Sequence, residues 1–370
     1  MKTLVIIGAS YLQLPLVKKA REMGLYTLCF AWPEGAVCKD EADEFYPISV
    51  IEKEQILHIC EEKQIDGICT IASDVSAPTV AFVAEKMGLV GNSYEAAVRA
   101  NNKYLMRNAF MKSGVPCPAY QKITSIEELN GTILHFPVIV KPTDRSGSVG
   151  IDKVNSLDEL LPAVKEALEV SFKQEVLVED FIDGREISVE FISYQGKHYP
   201  LQITDKVTTE APHFVELEHH QPADLSADQF KQIYSLTERA LDALGITNGA
   251  SHSEYKITKD GRIYVMEIGA RMGGDFIGSD LVQLSTGYDY LKGVIEVALG
   301  MFKEPIFGEK HYSGVYFLCE ETRRLLPFIK SRPSFGIVRT EIMNEELRSV
   351  TCSSDRSGYL IYQGNKKIKL

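Results

Sequence analysis

Glu254 and Glu267 stand on either side of a short polar turn, in the stretch SHSEYKITKDGRIYVMEIGARMGG at 251–274. Residues 252–258 and 263–268 read as two β-strands, and Lys259-Asp260-Gly261-Arg262 is the turn between them, with Asp-Gly as its signal. Antiparallel partners across such a turn sit about 5 Å apart, so the two carboxylates can approach each other. Like charges that close repel unless a cation lies between them, and a hard divalent ion such as Mg²⁺ suits carboxylate oxygens. Arg271 follows four residues after Glu267, and Gly273-Gly274 then lets the backbone pass close to a ligand. Carboxylates, a guanidinium and glycines in this order suit a metal-bound polyphosphate. The competing reading is a surface hairpin with solvated glutamates. His252 lies two residues before Glu254 on the same strand face, where it either orients that carboxylate, touches a substrate or packs with one hydrogen bond.

A second group of candidates lies upstream. Residues 101–114 read as one helix ending in glycine, with Lys103 in its first turn, where a cation opposes the helix dipole unless an anion is near. His135-Phe136-Pro137-Val138-Ile139-Val140-Lys141-Pro142 reads as a short apolar strand whose last side chain is Lys141. The following loop, Asp144 to Ile151, contains Ser146, Gly147, Ser148, Val149 and Gly150; backbone N–H groups of such a loop can cradle phosphate oxygens beside Lys141. It is not a P-loop, because no Gly-Lys-Ser/Thr follows at the required spacing. Residues 176–182 and 187–192 read as strands around the turn Asp183-Gly184-Arg185-Glu186. The exit of the first strand, Glu179, Asp180, Phe181 and Ile182, offers backbone groups to an adenine edge, and Glu186 offers a carboxylate to ribose hydroxyls; the alternative is a plain hairpin.

The ordered series Lys103, V-I-V-K-P at 138–142, the Gly/Ser loop at 146–150, V-E-D-F-I-D-G-R-E-I-S at 178–188, Glu254 and M-E-I-G-A-R at 266–271 resembles the ATP-grasp superfamily. The resemblance covers roughly residues 95–300. It implies that Lys103 and Lys141 contact ATP phosphates and that the loop from Ser146 to Gly150 closes over them as a lid. It implies adenine at Glu179 to Ile182, ribose at Glu186, and Mg²⁺ (with Mn²⁺ as the substitute ion) at Glu254 and Glu267. Many relatives carry Asn two residues after the second metal carboxylate; this chain has Gly269, which removes one oxygen ligand that water or phosphate can replace.

Enzymes of this superfamily typically phosphorylate a carboxylate and let a nucleophile displace the phosphate. Phosphoryl transfer depends mainly on alignment and charge neutralisation, which Lys141, loop amides and the metal supply. Arg271 then has the fork geometry to hold a carboxylate and its acyl phosphate; its competing role is an ion pair with a nearby acid. The polar stretch 202–222 reads as a long irregular segment and is similar to the substrate loop of ATP-grasp amino-acid ligases. Asp205, Lys206, His213 and Glu216 are its candidates for substrate recognition. A zinc site from His213, His219 and His220 is the alternative, but adjacent histidines lack the usual ligand spacing and no Cys is near. The expected activity is an ATP-dependent carboxylate–amine ligase of the L-amino-acid-ligase or carbamoyl-phosphate-synthase-like branch. The rivals are a purine-biosynthesis-type or biotin-carboxylase-like enzyme and, from another class, a non-catalytic nucleotide-binding regulator.

These residues need elements to hold them. In the first hundred residues, strands at 3–8, 26–31 and 66–72 alternate with helices at 12–23, 51–63 and 76–87, which predicts a parallel α/β sheet. Ligands of such sheets sit beyond the strand carboxyl ends, where Asp74 is either a substrate contact or a helix cap. Gly8-Ala9-Ser10-Tyr11-Leu12-Gln13 lacks the G-x-G-x-x-G of a dinucleotide site. The expected organisation is an α/β domain at 1–95, α+β ATP-grasp domains at 96–300 holding ATP between two sheets, with a lid at about 117–180, and a small α+β unit at 301–370 with strands at 312–319, 348–352 and 359–362. A net charge of −11 argues against nucleic acid as a partner, and no apolar run approaches the roughly 20 residues of a membrane helix. The N-terminus reads as a first strand rather than a leader. Seven scattered cysteines without a CxxC pair suit reduced thiols in a cytoplasm. Small-molecule acids and amines are the expected partners, and a homodimer is one allowed assembly.

Overall fold

A computed structural model of the chain describes residues 1–129, 135–145, 149–209, 213–330 and 336–370. Its N-terminal sheet contains β1 (Thr3–Ile7), β2 (Tyr26–Phe30), β3 (Glu44–Tyr46) and β4 (Gly67–Cys69), in the parallel order β3-β2-β1-β4. The fourth strand is shorter than its apolar run suggests. Past Cys69 the chain leaves the sheet: Ile71 bridges Met272, and Ala72 N–H donates to the Met272 carbonyl at 3.0 Å. That departure carries Asp74 to the far side of the molecule's charged cleft.

The single helix expected at 101–114 is two helices, Tyr94–Asn101 and Lys103–Lys112. Asn102 separates them with extended backbone, and its side chain accepts from Leu105 N–H as the cap of the second. Lys103 is therefore the first helical residue, with its N–H on the Thr143 carbonyl at 2.8 Å.

A second sheet holds β5 (Tyr120–Ile123), β6 (Val138–Pro142), β7 (Asp152–Val154) and β8 (Val176–Asp180) in the order β5-β8-β6-β7, every pair antiparallel. The helix Leu157–Val170 covers one face, where Val138, Val140, Leu160, Val164, Val176 and Val178 form the core.

The third sheet has eight strands: β9 (Arg185–Tyr194), β10 (Lys197–Thr208), β11 (Glu216–Gln221), β12 (Gly249–Ile257), β13 (Ile263–Gly269), β14 (Tyr312–Leu318), β15 (Ile337–Ile342) and β16 (Gly358–Gly364). Their order is β13-β12-β9-β10-β11-β14-β16-β15, all antiparallel. Two expectations are corrected here. The stretch 202–222 is not irregular; it is most of a hairpin, β10 and β11. Lys206 of β10 lines a charged cavity while the neighbouring Asp205 is buried on the opposite face, so the apolar alternation that normally marks a strand is hidden. The strand expected at 348–352 is absent, and β15 takes its place in the sheet. Strands after residue 300 also build no sheet of their own among the described residues; they extend the same eight-stranded sheet.

One face of that sheet is apolar. Ile187, Val189, Phe191, Ile203, Tyr255, Val265 and Ile268 pack there with the helix Ala227–Leu244. That helix begins at a reciprocal Ser226–Gln229 capping box and stops at Gly245 in left-handed conformation, so its apolar stripe is held over the strands.

Candidate functional site

Strand periodicity puts the charged residues on the other face. Glu186 is opposite Lys256, Ser188 opposite Glu254 and Glu190 opposite His252 across β9 and β12. Glu254 is directly opposite Glu267 across β12 and β13, with a bulge immediately after Glu254. Lys206 is opposite His219 across β10 and β11. Directly opposed residues share a face. The same register puts Asp205 opposite Ile187, on the apolar side. There it pairs with Arg185 and accepts from Asp224 N–H at 2.9 Å. Asp205 is thus removed from the substrate candidates: one step along a strand reverses the face.

Two cavities meet at this surface. One, of about 370 Å³, is lined by Ile139, Lys141, Val149, Phe181, Ile182 and Glu186 among others, with Glu179 and His213 at its walls and Thr351 and Cys352 from the C-terminal segment. The other, of about 290 Å³, contains Asp74, Lys103, His252, Arg271, Gly274 and Asp275. Ile151, Lys206, Glu216, Glu254 and Glu267 line both. Ser146, Gly147 and Ser148 lie outside the described residues. Gly150 has φ +68°, and a Cβ there would lie 2.6 Å from a Val170 methyl, so its close approach is to the Leu157–Val170 helix. Asp180 and Phe181 N–H donate to the Ala119 and Pro137 carbonyls at 2.9 and 3.2 Å. Those two donors are committed to the fold, which removes them from the groups expected to meet an adenine edge.

Nearly every charge here has a partner. Lys206 Nζ is 2.7 Å from Glu254 Oε1 and 3.5 Å from Glu216 Oε1. Lys103 Nζ is 3.0 Å from Glu267 Oε1 and donates to the Arg145 carbonyl at 2.8 Å. Lys141 pairs with Glu179, whose other oxygen accepts from Arg107 Nε at 3.0 Å. Lys256 is 3.2 Å from Glu186. Arg271 holds Asp74 through a two-bond fork, Nε to Oδ1 at 2.8 Å and Nη2 to Oδ2 at 2.7 Å. His252 lies between Glu190 and Glu254, its Nε2 3.4 Å from Glu254.

These pairs set the protonation states. Burial opposes charge on His252, yet Glu190 and Glu254 raise it to about 9, so it is an imidazolium at neutral pH. Burial also opposes charge on Lys206, and Glu254, Glu216 and Glu186 outweigh it and hold the ammonium. Against burial, Lys206 and His252 keep Glu254 well below the usual carboxylate range, and Arg271 lowers Asp74. Lys141 goes the other way: burial lowers it, and Glu179 only partly restores it.

Glycine at 269 and 273 answers to packing. A Cβ at 269 would lie 2.4 Å from Asp74 Oδ1, so the Asp74–Arg271 pair fills the space of a side chain there. A Cβ at 273 would lie 2.7 Å from both Glu190 Oε1 and His252 Nδ1. Gly273 therefore makes room for this pair rather than for a ligand, and its N–H donates to Glu190 Oε2 at 3.0 Å. Glu254 and Glu267 offer a divalent cation two opposed carboxylates, and the described residues hold no group of three or more His, Cys, Asp or Glu arranged for a metal. Remaining oxygens would come from phosphate and water, which suits Mg²⁺. The zinc alternative fails on geometry. His219 and His220 face opposite sides of β11, and the His220 ring is held by Tyr362 Oη at 2.8 Å and Glu218 at 2.9 Å.

Sequence reasoning passed over Arg107, Glu190, Asp275 and Arg356. Arg356, with a side chain 4% exposed, holds Asp275 at 2.8 Å and Glu216 at 3.1 Å. Glu190 carried a signal, since it falls at the same alternation as Glu186 and Ser188 on β9. Arg356 carried none, since its partners lie some eighty and one hundred forty residues upstream.

Residues 134–280 match the family model of the ATP-grasp domain. Alanine–anticapsin ligase of Bacillus subtilis strain 168 is 29% identical over 245 residues, covering 60% of this chain and 51% of that protein. Dapdiamide A synthase of Enterobacter agglomerans is 26% identical over 293 residues, covering 72% and 68%. The chain thus spans about half the length of the first of these relatives. In fold it resembles the L-amino acid ligase of Bacillus licheniformis, with a TM-score of 0.81 at 23% identity over 99% of this chain and 94% of that one.

Proposed function

This chain belongs to the ATP-grasp superfamily, and from that premise we propose that it is an ATP-dependent carboxylate–amine ligase that joins a small acid to an amine. The observation that carries the reading is the wall shared by the two cavities. A nucleotide in the larger cavity would direct its terminal phosphate past Glu254, Glu267 and Lys206 into the charged one, where Arg271 lies.

In the proposed sequence a carboxylate oxygen attacks the γ-phosphorus and ADP leaves. The amine then attacks the acyl carbon, phosphate leaves, and the amine nitrogen loses a proton. Lys141 and Lys103 neutralise phosphate charge, and Arg271 orients the acid. Its Nε–Nη2 edge is already on Asp74, so the acid meets the guanidinium from the Nη1 side or displaces Asp74. Glu254 and Glu267 would hold Mg²⁺, which when bound offsets charge on the transferred phosphoryl group. His252 is protonated at neutral pH, so its part is to position Glu254, not to deprotonate the amine. Lys206, His213 and Glu216 border the nucleotide cavity as candidate substrate contacts, and Gly274 borders the charged one.

Small-molecule acids and amines are the proposed partners and the cytoplasm the proposed location. No helix among the described residues is long and apolar enough to cross a membrane. The test is phosphate release from ATP and Mg²⁺ with amino acids offered singly and in pairs, and with bicarbonate. Release that requires an acid and an amine, with a condensed product by mass, supports the ligase. Release with bicarbonate alone, or ATP binding without release for any acid, overturns it.

A further inference from the structure

The paired charges have a consequence for metal entry. Glu254 and Glu267 are opposed on neighbouring strands, about a third exposed to the cavities (36% and 31%), and each already has an ammonium on it. Lys206 stands 2.7 Å from Glu254 and Lys103 stands 3.0 Å from Glu267. Both lysine side chains are only 6% exposed. They enter from separate elements, Lys206 from β10 and Lys103 from the first turn of the Lys103–Lys112 helix. Around them, His252 adds a second cation to Glu254, Glu216 faces Lys206 at 3.5 Å and is itself held by Arg356, and the Arg145 carbonyl accepts from Lys103.

A divalent ion arriving alone would have to separate these pairs. Its gain on two carboxylates would be offset by two buried ammoniums left facing weaker partners, and uncompensated buried charge is costly. A polyphosphate changes that balance, because its oxygens can take the ammoniums as the ion takes the carboxylates. We infer that Lys103 and Lys206 are an exchangeable internal counter-ion for Glu254 and Glu267, so that the divalent ion enters only together with the nucleotide. This rests on the metal role proposed for those two glutamates. It adds a coupling that their presence alone does not require: a chain with the same carboxylates and no lysines would bind the free ion.

The test is uptake of Mn²⁺ by the full chain, read as manganese retained with the protein in equilibrium dialysis above a protein-free control containing the same nucleotide. It is measured with and without a non-hydrolysable ATP analogue. The wild-type chain alone is expected to take up no Mn²⁺ at millimolar concentration and to do so with the analogue. Lys206→Met alone is expected to bind Mn²⁺ at least about tenfold tighter than wild type alone, which corresponds to roughly 1.4 kcal/mol. Lys206→Arg, which keeps the charge, is expected to exclude it. Should Lys206→Met not fold, Lys103→Met carries the same expectation. Wild-type uptake without nucleotide as tight as with it, or folded methionine variants no tighter than wild type, overturns the counter-ion role alone. Absence of uptake even with the analogue overturns the metal reading, and the counter-ion role with it.

Discussion

The two faces of β9, β10, β12 and β13 are made by alternate residues of the same strands, and they obey opposite rules. On one, Ile187, Val189, Phe191, Ile203, Val265 and Ile268 are buried against the Ala227–Leu244 helix. On the other, Glu186, Glu190, Lys206, His252, Glu254, Lys256 and Glu267 form buried or half-buried ion pairs. The apolar face stabilises the fold, at roughly 1.5–3 kcal/mol for each large side chain withdrawn from water. The charged face adds little net stability, because desolvation offsets most of the attraction between buried ions. A fold that keeps so many costly pairs on one surface has a use for that surface.

Neighbouring residues on β13 test the contrast most severely. Glu267→Gln is expected to lower phosphate release by about 10²–10³-fold, the range seen when one group stabilising a charged transition state is removed. Circular dichroism should show it folded. Ile268→Ala, one residue on, should do the reverse: a loss of about 2–5 kcal/mol in urea unfolding, with near-normal turnover in the folded fraction. If the two losses fall in the same observable, the division between faces is wrong. Arg271→Lys is next. It keeps the charge and loses the fork on Asp74, and we expect turnover to fall about 100-fold through misplacement of the acid. Unchanged kinetics would remove Arg271 from the mechanism and leave it an ion-pair tie to Asp74. Asp205→Asn, off the charged face, should cost only about 1 kcal/mol of stability and leave phosphate release unaltered.

The smallest effect is one of pH. Burial lowers the pKa of His219 and His220 below the ordinary histidine value despite Asp275 and Glu218 nearby. The unfolded chain therefore takes up protons before the folded one. The stability these rings contribute is complete above an unfolded pKa of about 6.5 and declines as the pH falls below it. Urea midpoints between neutral and mildly acidic pH should fall with pH, and less steeply in His219→Phe. A slope that steepens in the variant would contradict the buried neutral ring.

Much of the arrangement was legible because its signals are local. A strand ending in lysine and a polar turn between two glutamates depend on residues a few positions apart. Glu254 and Glu267 were legible as opposed partners because hairpin geometry relates them through one short turn. Asp205 was misread for a related reason. The stretch 202–222 was not recognised as strands, so period two was not applied, and Asp205 and Lys206 were assigned to one site although they face opposite ways.

By itself the sequence determined the alternating strands and helices of the first hundred residues, the resemblance to the ATP-grasp superfamily, and the types of charge along the cleft, since each follows from short-range pattern and propensity. Only the tertiary structure decided which charge meets which. Asp74 reaches Arg271 because the chain leaves the first sheet after β4 and bridges Met272, and that pair then occupies the space a side chain at 269 would need. Arg356 reaches Asp275 and Glu216 because β14 to β16 extend the same sheet. Electrostatic pairing depends on distance through space and on burial, and neither is written in the spacing of residues along the chain.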